Sequence, residues 1–379
     1  ATLSAPAQST INTVYKQILL MSLACPYRLR QKEIHFVYNA LMGWADITRL
    51  YNMEDEQAQG LFIVKLNADK PPSYRALNGS GQVERHCRTL DTTSMAKRIR
   101  DIQNKQPGNA SRYIGIGDTD ILQRLMLAWG VMPKRRFARH AKSAEVGLVV
   151  GLNAIHRRVT GPGTESTSGE ETIDDQHYLQ DPTFEASTTF KANPFVDSGR
   201  RIVTSGKTPA QGYSSEDAID TSRIESWKMT NISAGGYSLL WDSDDSSNAQ
   251  VGELVAIIEL DNLSEDNWHL GVVRWMKCTS TYGLELGIQM LSPSALAVWA
   301  YMNENESGIQ TGRKMQGILL PEITVLRQQA SLLLPTLPFR AGCVATLETA
   351  GTLENIKLTQ QLENTGSFAQ YHFSTSINH

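Results

Sequence analysis

The strongest constraint on the fold is a series of short apolar runs that begins after Pro133 and is punctuated by turn residues. Within these runs apolar and polar side chains tend to alternate with a period of two, as in strands that bury one face. The runs occupy residues 146–152, 227–241, 254–260, 270–277 and 283–290. Many short strands at close spacing predict an antiparallel barrel or sandwich.

A long polar segment, residues 161–223, interrupts these runs. It is rich in Ser, Thr, Gly, Asp and Glu and poor in aliphatic residues. Structureless loops of this length are uncommon inside compact domains. We therefore interpret the segment as an insertion into the predicted barrel.

Beyond the last of these runs the sequence predicts one short helix and then more strands. Ser292 is placed to cap a helix over residues 295–302. Residues 317–373 alternate again in the manner of strands. This tail is either a second small β unit or a set of extra strands on the first barrel.

The first third of the chain is predicted to be rich in helices. Residues 10–23 and 30–51 have the apolar spacing of two amphipathic helices, with a break at Pro26. Further elements are predicted as a strand at 61–66 and helices at 93–102 and 120–129. The second helix carries one apolar stripe, which we expect to be core and not a docking groove for a partner: Ile34, Val37, Tyr38, Leu41 and Trp44.

These patterns divide the chain into three predicted domains, since 379 residues are too many for one ordinary core. We expect a multidomain α+β protein, with an α-rich domain over residues 1–131 and an antiparallel β-barrel over 132–302. A small C-terminal β subdomain follows over 303–379. Because the sequence begins at Ala1 and not at a methionine, we also expect it to be part of a longer protein.

The composition narrows the class of protein. A net charge of −3 excludes a protein whose whole surface binds polyanions, so a nucleotide site must be a local basic patch. The four cysteines have no metal-ligand spacing, which argues against zinc and disulfides and favours a reducing cytoplasm. No apolar run approaches the roughly 20 residues that span a bilayer, and neither histidine spacing nor sequence motifs indicate a metal site or an enzyme.

One local basic patch stands where the barrel pattern begins. Arg135 and Arg139 form an Arg-x-x-x-Arg pair within residues 134–140, and no acidic residue offsets them before Lys142. A guanidinium binds a phosphate, or the O6/N7 edge of guanine, through two parallel hydrogen bonds. Two such groups on one segment can hold a nucleotide from both sides, although a basic run by itself is more often a solvated surface.

A second polar stretch, residues 231–236, strengthens the interpretation of the basic patch as a nucleotide site. Asn231 and Ser233 are two residues apart, so on a strand their side chains point to the same face. The Asn231 amide suits a purine edge, and Ser233 adds a hydroxyl group. Gly235 and Gly236 lack a Cβ atom and allow a ring to approach the backbone closely. The alternative for this stretch alone is a strand that turns at a glycine bulge.

Together, and followed by Gly271-Val-Val-Arg274-Trp275, the two stretches resemble the PilZ domain family. That family has an Arg-x-x-x-Arg at the barrel entrance, followed by an Asp/Asn-x-Ser-x-x-Gly on the barrel wall. The resemblance covers residues 133–301 without the insertion, and it implies a PilZ-like antiparallel barrel. The insertion is a departure, since family members separate the two motifs by only a few tens of residues.

The resemblance also implies a ligand, the second messenger cyclic di-GMP. Arg135 and Arg139 would hold its guanines and phosphates, while Asn231, Ser233 and Gly236 would receive one base. We add Gly235, Arg136 and Arg274 as neighbours in the same site. No catalytic residue, metal ligand or other cofactor is expected.

Three hypotheses follow for the function. The first is a cytoplasmic, non-catalytic cyclic di-GMP receptor that transmits binding to its neighbouring domains or to a downstream protein partner. The second is an adaptor protein whose degenerate PilZ-like barrel binds no nucleotide. The third is a binder of single-stranded nucleic acid, which the net charge of −3 and an aromatic content of 7% disfavour, so we expect no DNA partner.

Overall fold

The structure is a computed structural model, and it describes residues 11–53, 55, 60–75, 86–105, 119–130, 137–160, 224–243, 247–260, 268–279, 283–302, 314–324 and 327–375.

The helical N-terminal region is built on the apolar spacing expected from the sequence. The helices of this region are α1 (Ile11–Leu23), α2 (Gln31–Trp44), α3 (Thr93–Lys105) and α4 (Thr119–Ala128). They enclose a core in which Leu20, Val37 and Trp129 are fully buried.

Helix α2 differs in two ways from the predicted helix over residues 30–51. It ends at Trp44, and residues 49–52 form a strand instead. Val37 and Leu41 of the predicted stripe are buried, whereas Tyr38 is 54% exposed. The apolar stripe is therefore narrower than its sequence spacing suggests.

A small antiparallel sheet accompanies these helices. Its strand order is β1-β4-β2-β3, and the predicted strand at 61–66 is the inner strand β2. The strands are β1 (Arg49–Asn52), β2 (Phe62–Lys65), β3 (Ser73–Tyr74) and β4 (Cys87–Asp91). Phe62 and Leu90 of this sheet pack against Leu19 of α1, which joins sheet and helices.

The predicted barrel is present as a closed antiparallel barrel of six strands, in the order β10-β7-β6-β5-β8-β9. Its strands are β5 (His140–Val150), β6 (Glu225–Ser233), β7 (Gly236–Trp241), β8 (Leu254–Glu259), β9 (His269–Thr279) and β10 (Gly283–Ser292). The alternating side chains of Val146, Trp227 and Leu239 fill its interior. The predicted insertion, residues 161–223, lies outside the described residues.

A helix that the sequence did not predict follows the first strand of this barrel. Helix α5 (Leu152–Thr160) buries Leu152 and Ile155. Its apolar side chains join a core that also contains Leu270 of the first barrel and Leu333 and Phe368 from the C-terminal part of the chain. The short run 146–152 therefore contains both the end of a strand and the start of a helix.

The helix predicted over residues 295–302 is wrong, because these residues form strand β11 (Leu296–Met302). Val298 and Ala300 are fully buried, and this alternation of period two is that of a strand. Val298, Trp299 and Tyr301 are residue types that favour strands, and pairing on both sides outweighs the helical propensity of the alanines and leucine. The strand belongs to the second barrel, although the sequence placed its residues in the first.

The C-terminal tail is a second small β unit and not a set of extra strands on the first barrel. With β11 it forms a closed antiparallel barrel in the order β11-β12-β13-β16-β15-β14. The additional strands are β12 (Met315–Leu320), β13 (Ser331–Leu334), β14 (Val344–Thr349), β15 (Thr352–Asn364) and β16 (Ala369–Thr375). The chain is thus a multidomain α+β protein with two barrels and a helical N-terminal region. Within the described residues, no helix is long and apolar enough to cross a membrane.

One arginine joins all three parts of the chain. Arg30, just before α2, donates from Nε to the Val251 carbonyl oxygen at 2.8 Å and from Nη2 to Ser367 Oγ at 2.6 Å. Val251 precedes β8 of the first barrel, and Ser367 lies in the β15–β16 turn of the second. The same guanidinium is 4.0 Å from Glu253 Oε1. A shift of any one part would break these charge-assisted contacts.

A buried histidine lies between the two barrels. His156 of α5 donates from Nε2 to the Val298 carbonyl oxygen at 3.1 Å, which requires the proton on Nε2. Its Nδ1 has no hydrogen-bond partner among the described residues, and its ring packs edge-on against Trp299. Burial, with smaller contributions from the charges of Arg157 and Lys314, lowers the pKa of His156 to about 4, and the hydrogen bond to Val298 opposes this shift.

We expect His156 to make the protein less stable as the pH decreases. The folded-state pKa lies below the unfolded value, so its contribution is complete above pH 6.5 and is lost as the pH falls towards 4. The loss is roughly 3 kcal/mol over this range. Urea denaturation at pH 7 and pH 4.5 would measure it in the wild type and in His156→Gln, which lacks the titration. A wild type and a variant that lose the same stability would contradict the prediction, and His35→Gln, an exposed histidine of α2, is the matched control.

Candidate functional site

A polar cavity of about 180 Å³ opens beside the β6–β7 hairpin of the first barrel. Strands β6, β7, β9 and β10 form its wall, and segments from two other places in the chain complete it. Six of the eight predicted site residues line it: Arg139, Asn231, Ser233, Gly235, Gly236 and Arg274. Arg135 and Arg136 lie outside the described residues. The two polar stretches of the sequence thus meet at one cavity.

Strand pairing between β5 and β6 brings the two stretches together. His140 is opposite Ile232, and Ala141 is opposite Asn231. Arg139 immediately precedes His140, the first residue of β5, so it lies beside the β6–β7 turn. Its side chain is exposed and has no ion-pair partner in the part of the chain that the structure describes. A guanidinium without a carboxylate is available to an anion.

Asn231 and Ser233 occupy the polar wall of the cavity as their spacing predicts. Both side chains are half-buried near the end of β6. Ser233 Oγ donates to the Gly236 carbonyl oxygen at 3.3 Å, across the hairpin turn. The Asn231 amide makes no side-chain hydrogen bond to another described residue, so both its donors and its acceptor can bind a ligand.

Gly236 is required by the barrel itself. Its φ angle is +146°, and a Cβ atom there would overlap the Ile288 carbonyl oxygen of β10. Strands β7 and β10 pair across this point, with Gly236 opposite Gln289. The absence of a side chain at residue 236 therefore serves strand closure as well as the shape of the cavity.

Gly235 accepts a ring, as the sequence predicts, but the ring belongs to the protein. A Cβ atom at residue 235 would lie 2.8 Å from Cδ2 of Phe137. Phe137 is the aromatic residue of the basic cluster, between Arg135 and Arg139. Its ring therefore lies beside the hairpin that carries Asn231 and Ser233.

Arg274 lies at the cavity but is already paired. It donates from Nη2 to Glu363 Oε2 at 2.9 Å and from Nε to Gln289 Oε1 at 2.8 Å, and Nη1 donates to Glu363 Oε1. Glu363 belongs to β15 of the second barrel and is largely buried. A carboxylate from another domain therefore holds this guanidinium through two parallel hydrogen bonds.

Two neutral groups flank the positive charges. The Tyr237 hydroxyl shares a 2.7 Å hydrogen bond with Nδ1 of His269. Burial raises the pKa of Tyr237 to about 12, with a smaller contribution from Glu259, and burial lowers the pKa of His269. Both side chains are uncharged at pH 7, so the charge of the cavity comes from its arginines.

Sequence reasoning missed one arginine of the cavity wall and the partner of another. Arg28 lines the cavity from the N-terminal region, and Glu363 reaches Arg274 from the second barrel. Arg28 and Arg30 flank Leu29 at the predicted break after Pro26, which is a weak basic signal. Nothing in the spacing of Arg28 or Glu363 connects either residue to residues 134–140 or 231–236.

A closed six-stranded barrel with Arg139 and an Asn-x-Ser-x-x-Gly hairpin at one cavity is the arrangement that a PilZ domain implies. Residues 61–296 match the family model described as "Cyclic-di-GMP receptor FimW, middle PilZ domain". Residues 1–55 match the N-terminal domain of the same receptor, and residues 305–376 match its C-terminal beta-barrel domain. The chain belongs to the FimW family of cyclic-di-GMP receptors, which confirms the resemblance found in the sequence.

A curated relative aligns with almost the whole of this chain. The chain is 26% identical over 389 residues to the protein named "Cyclic-di-GMP receptor FimW" from Pseudomonas aeruginosa. The alignment covers 97% of this chain and 62% of that relative, so the chain spans less than two thirds of the relative's length. No solved structure shows a significant match to the chain.

We expect Gly236→Ala to destabilise the first barrel by about 2–4 kcal/mol, because of the backbone overlap and the positive φ angle. Thermal denaturation followed by circular dichroism would detect the loss. Gly43→Ala is the matched control, since a Cβ atom in this exposed turn of α2 meets no other atom within 4 Å. Equal denaturation midpoints for Gly236→Ala and the wild type would contradict the assignment of strain.

Proposed function

We propose that this chain binds cyclic di-GMP at the cavity beside the β6–β7 hairpin and acts as a non-catalytic receptor. The observation that carries the proposal is the meeting of Arg139 with Asn231 and Ser233 at one cavity. Membership of a family of cyclic-di-GMP receptors supports the choice of ligand. A reducing cytoplasm as its location is part of the proposal, supported by four cysteines that form no disulfide.

The chemistry of the cavity suits part of such a ligand. Cyclic di-GMP carries two phosphate charges and two guanines, and a guanidinium binds either group through two hydrogen bonds. The Asn231 amide can bind a base edge on the polar wall. The volume of about 180 Å³ is smaller than the roughly 300–1,000 Å³ of sites that enclose a drug-sized ligand. We therefore assign one base or one phosphate to the cavity and the remainder of the ligand to the arginine segment, including Arg135 and Arg136.

The second hypothesis, an adaptor with a degenerate barrel, has two observations in its favour. The Phe137 ring lies against Gly235, where the sequence suggested a ligand ring. Glu363 pairs with Arg274 and offsets its charge. An adaptor would keep this arrangement permanently, whereas a receptor whose ligand engages Gly235 or Arg274 would rearrange the corresponding contact on binding. Binding measurements decide between the two hypotheses.

We expect Arg139→Ala and Arg135→Ala each to weaken cyclic di-GMP binding at least roughly tenfold, because each removes a bidentate contact of about 1–3 kcal/mol. Isothermal titration calorimetry would measure the affinities. Arg100→Ala is the matched control, as an exposed arginine of α3 away from the cavity. Unchanged affinity in both site variants contradicts the site, and a wild type that binds no nucleotide favours the adaptor.

We further propose that ligand binding is transmitted to the second barrel through Arg274. The ion pair between Arg274 and Glu363 connects the cavity wall of the first barrel to β15 of the second. A dianionic ligand that attracts Arg274 competes with this carboxylate. The loosened contact would change how the second barrel docks, and a downstream protein partner would respond to that change. Arg30, which bonds to both barrels, would carry the same change to α2.

We expect Glu363→Gln to tighten cyclic di-GMP binding roughly fivefold or more, since it removes the competing negative charge. In the wild type, the ligand should increase amide hydrogen exchange in β15, where Glu363 lies. Calorimetry and hydrogen-exchange mass spectrometry measure the two effects. Glu354→Gln is the matched control, because residue 354 is an exposed glutamate on the same strand. Weaker binding in Glu363→Gln would mean that Glu363 orients Arg274 for the ligand, and it would contradict competition.

A further inference from the structure

Arg28 is a cavity residue that comes from the helical N-terminal region and not from the barrel. It ends the 3-10 turn Pro26–Arg28 between α1 and α2, yet it lines the same cavity as Arg139 and Asn231. We infer that Arg28 binds a phosphate of the ligand, so that the N-terminal region supplies part of the site. This inference rests on the proposed function.

The backbone of Arg28 is held in place on both sides. Its amide donates to the Cys25 carbonyl oxygen at 2.8 Å, and Pro26 restricts the turn. Its own carbonyl oxygen accepts a 3.0 Å hydrogen bond from Nη1 of Arg124 in α4. Arg124 is in turn fixed by an ion pair with Glu33 of α2. The turn is therefore a rigid base for a long side chain.

The side chain of Arg28, in contrast, is exposed and has no carboxylate within ion-pair distance among the described residues. Arg139 shares this condition, whereas Arg274 is paired with Glu363. Two guanidinium groups that face one cavity without counter-ions repel each other. A ligand with two phosphate charges relieves that repulsion and gains charge-assisted hydrogen bonds.

The competing explanation is that Arg28 only packs the turn against the barrel. The turn lies against β9, the strand that carries Arg274. A packing role depends on the aliphatic stem of the side chain and is independent of salt. A phosphate contact depends on the charge and weakens as the salt concentration rises. The two roles therefore differ in measurable ways.

The test measures cyclic di-GMP binding to the full chain by calorimetry at two salt concentrations. We expect Arg28→Ala to weaken binding roughly tenfold at low salt, with a smaller difference from the wild type at high salt. Arg28→Lys keeps the charge but loses the planar fork, so its affinity should lie between the two. Lys32→Ala, an exposed lysine of α2 outside the cavity, controls for the change in net charge and should bind as the wild type does.

The outcomes separate this inference from the function on which it rests. A wild type that binds cyclic di-GMP together with an Arg28→Ala variant of equal affinity overturns the role of Arg28 and leaves the function standing. A wild type that binds no cyclic di-GMP overturns both. Thermal denaturation without ligand checks that Arg28→Ala is folded. If it is not, Arg28→Gln, which keeps most of the aliphatic stem and removes the charge, takes its place with the same expected loss of affinity.

Discussion

The pairing of β5 with β6 is the interaction on which the candidate site depends. These strands flank the insertion, and their hydrogen bonds place His140 opposite Ile232 and Ala141 opposite Asn231. Arg139 meets the β6–β7 hairpin only because this ladder closes across more than sixty intervening residues. Loop-closure entropy grows only logarithmically with length, so a long insertion costs little once the ladder and the barrel core are formed. The barrel therefore tolerates the insertion, and the register of one strand pair sets the geometry of the cavity.

A shared apolar core joins the two barrels and so brings residues of the second barrel to the site. Helix α5 buries Ile155 against side chains of both barrels, which share one continuous apolar cluster. Around this cluster the polar contacts are specific, with Arg274 bound to Glu363 and Arg30 bound to residues of both barrels. Apolar burial is non-directional and supplies most of the association, whereas these charged hydrogen bonds determine the orientation. A ligand that competes for one arginine thereby acts on the arrangement of the domains.

Much of the fold could be predicted from local pattern. The five apolar runs predicted where the strands of the first barrel lie, because the burial pattern of a strand is a property of its own sequence, although the single run 227–241 contains both β6 and β7. The helix predicted over residues 295–302 failed because propensity is weak and pairing on both sides of β11 decided its conformation. Helix α5 was missed because it has only nine residues and because its first residue, Leu152, ends an apolar run that is typical of a buried strand. Of the eight predicted site residues, six line one cavity, while the ligand contacts of all eight stay predictions.

The sequence by itself determined the β-barrel, its family and the two polar stretches, because strand periodicity and short motifs are local properties that any neighbouring structure leaves intact. Only the tertiary structure decided which charges are free and which are paired. Glu363 binds Arg274 from a strand about ninety residues away, and Arg28 reaches the cavity from about two hundred residues before the β6–β7 hairpin. Such pairings arise from the packing of whole domains, and no spacing rule along the chain encodes them. The arginine motif could therefore be recognised in the sequence, whereas the contribution of Arg28 and the pairing of Arg274 with Glu363 could not.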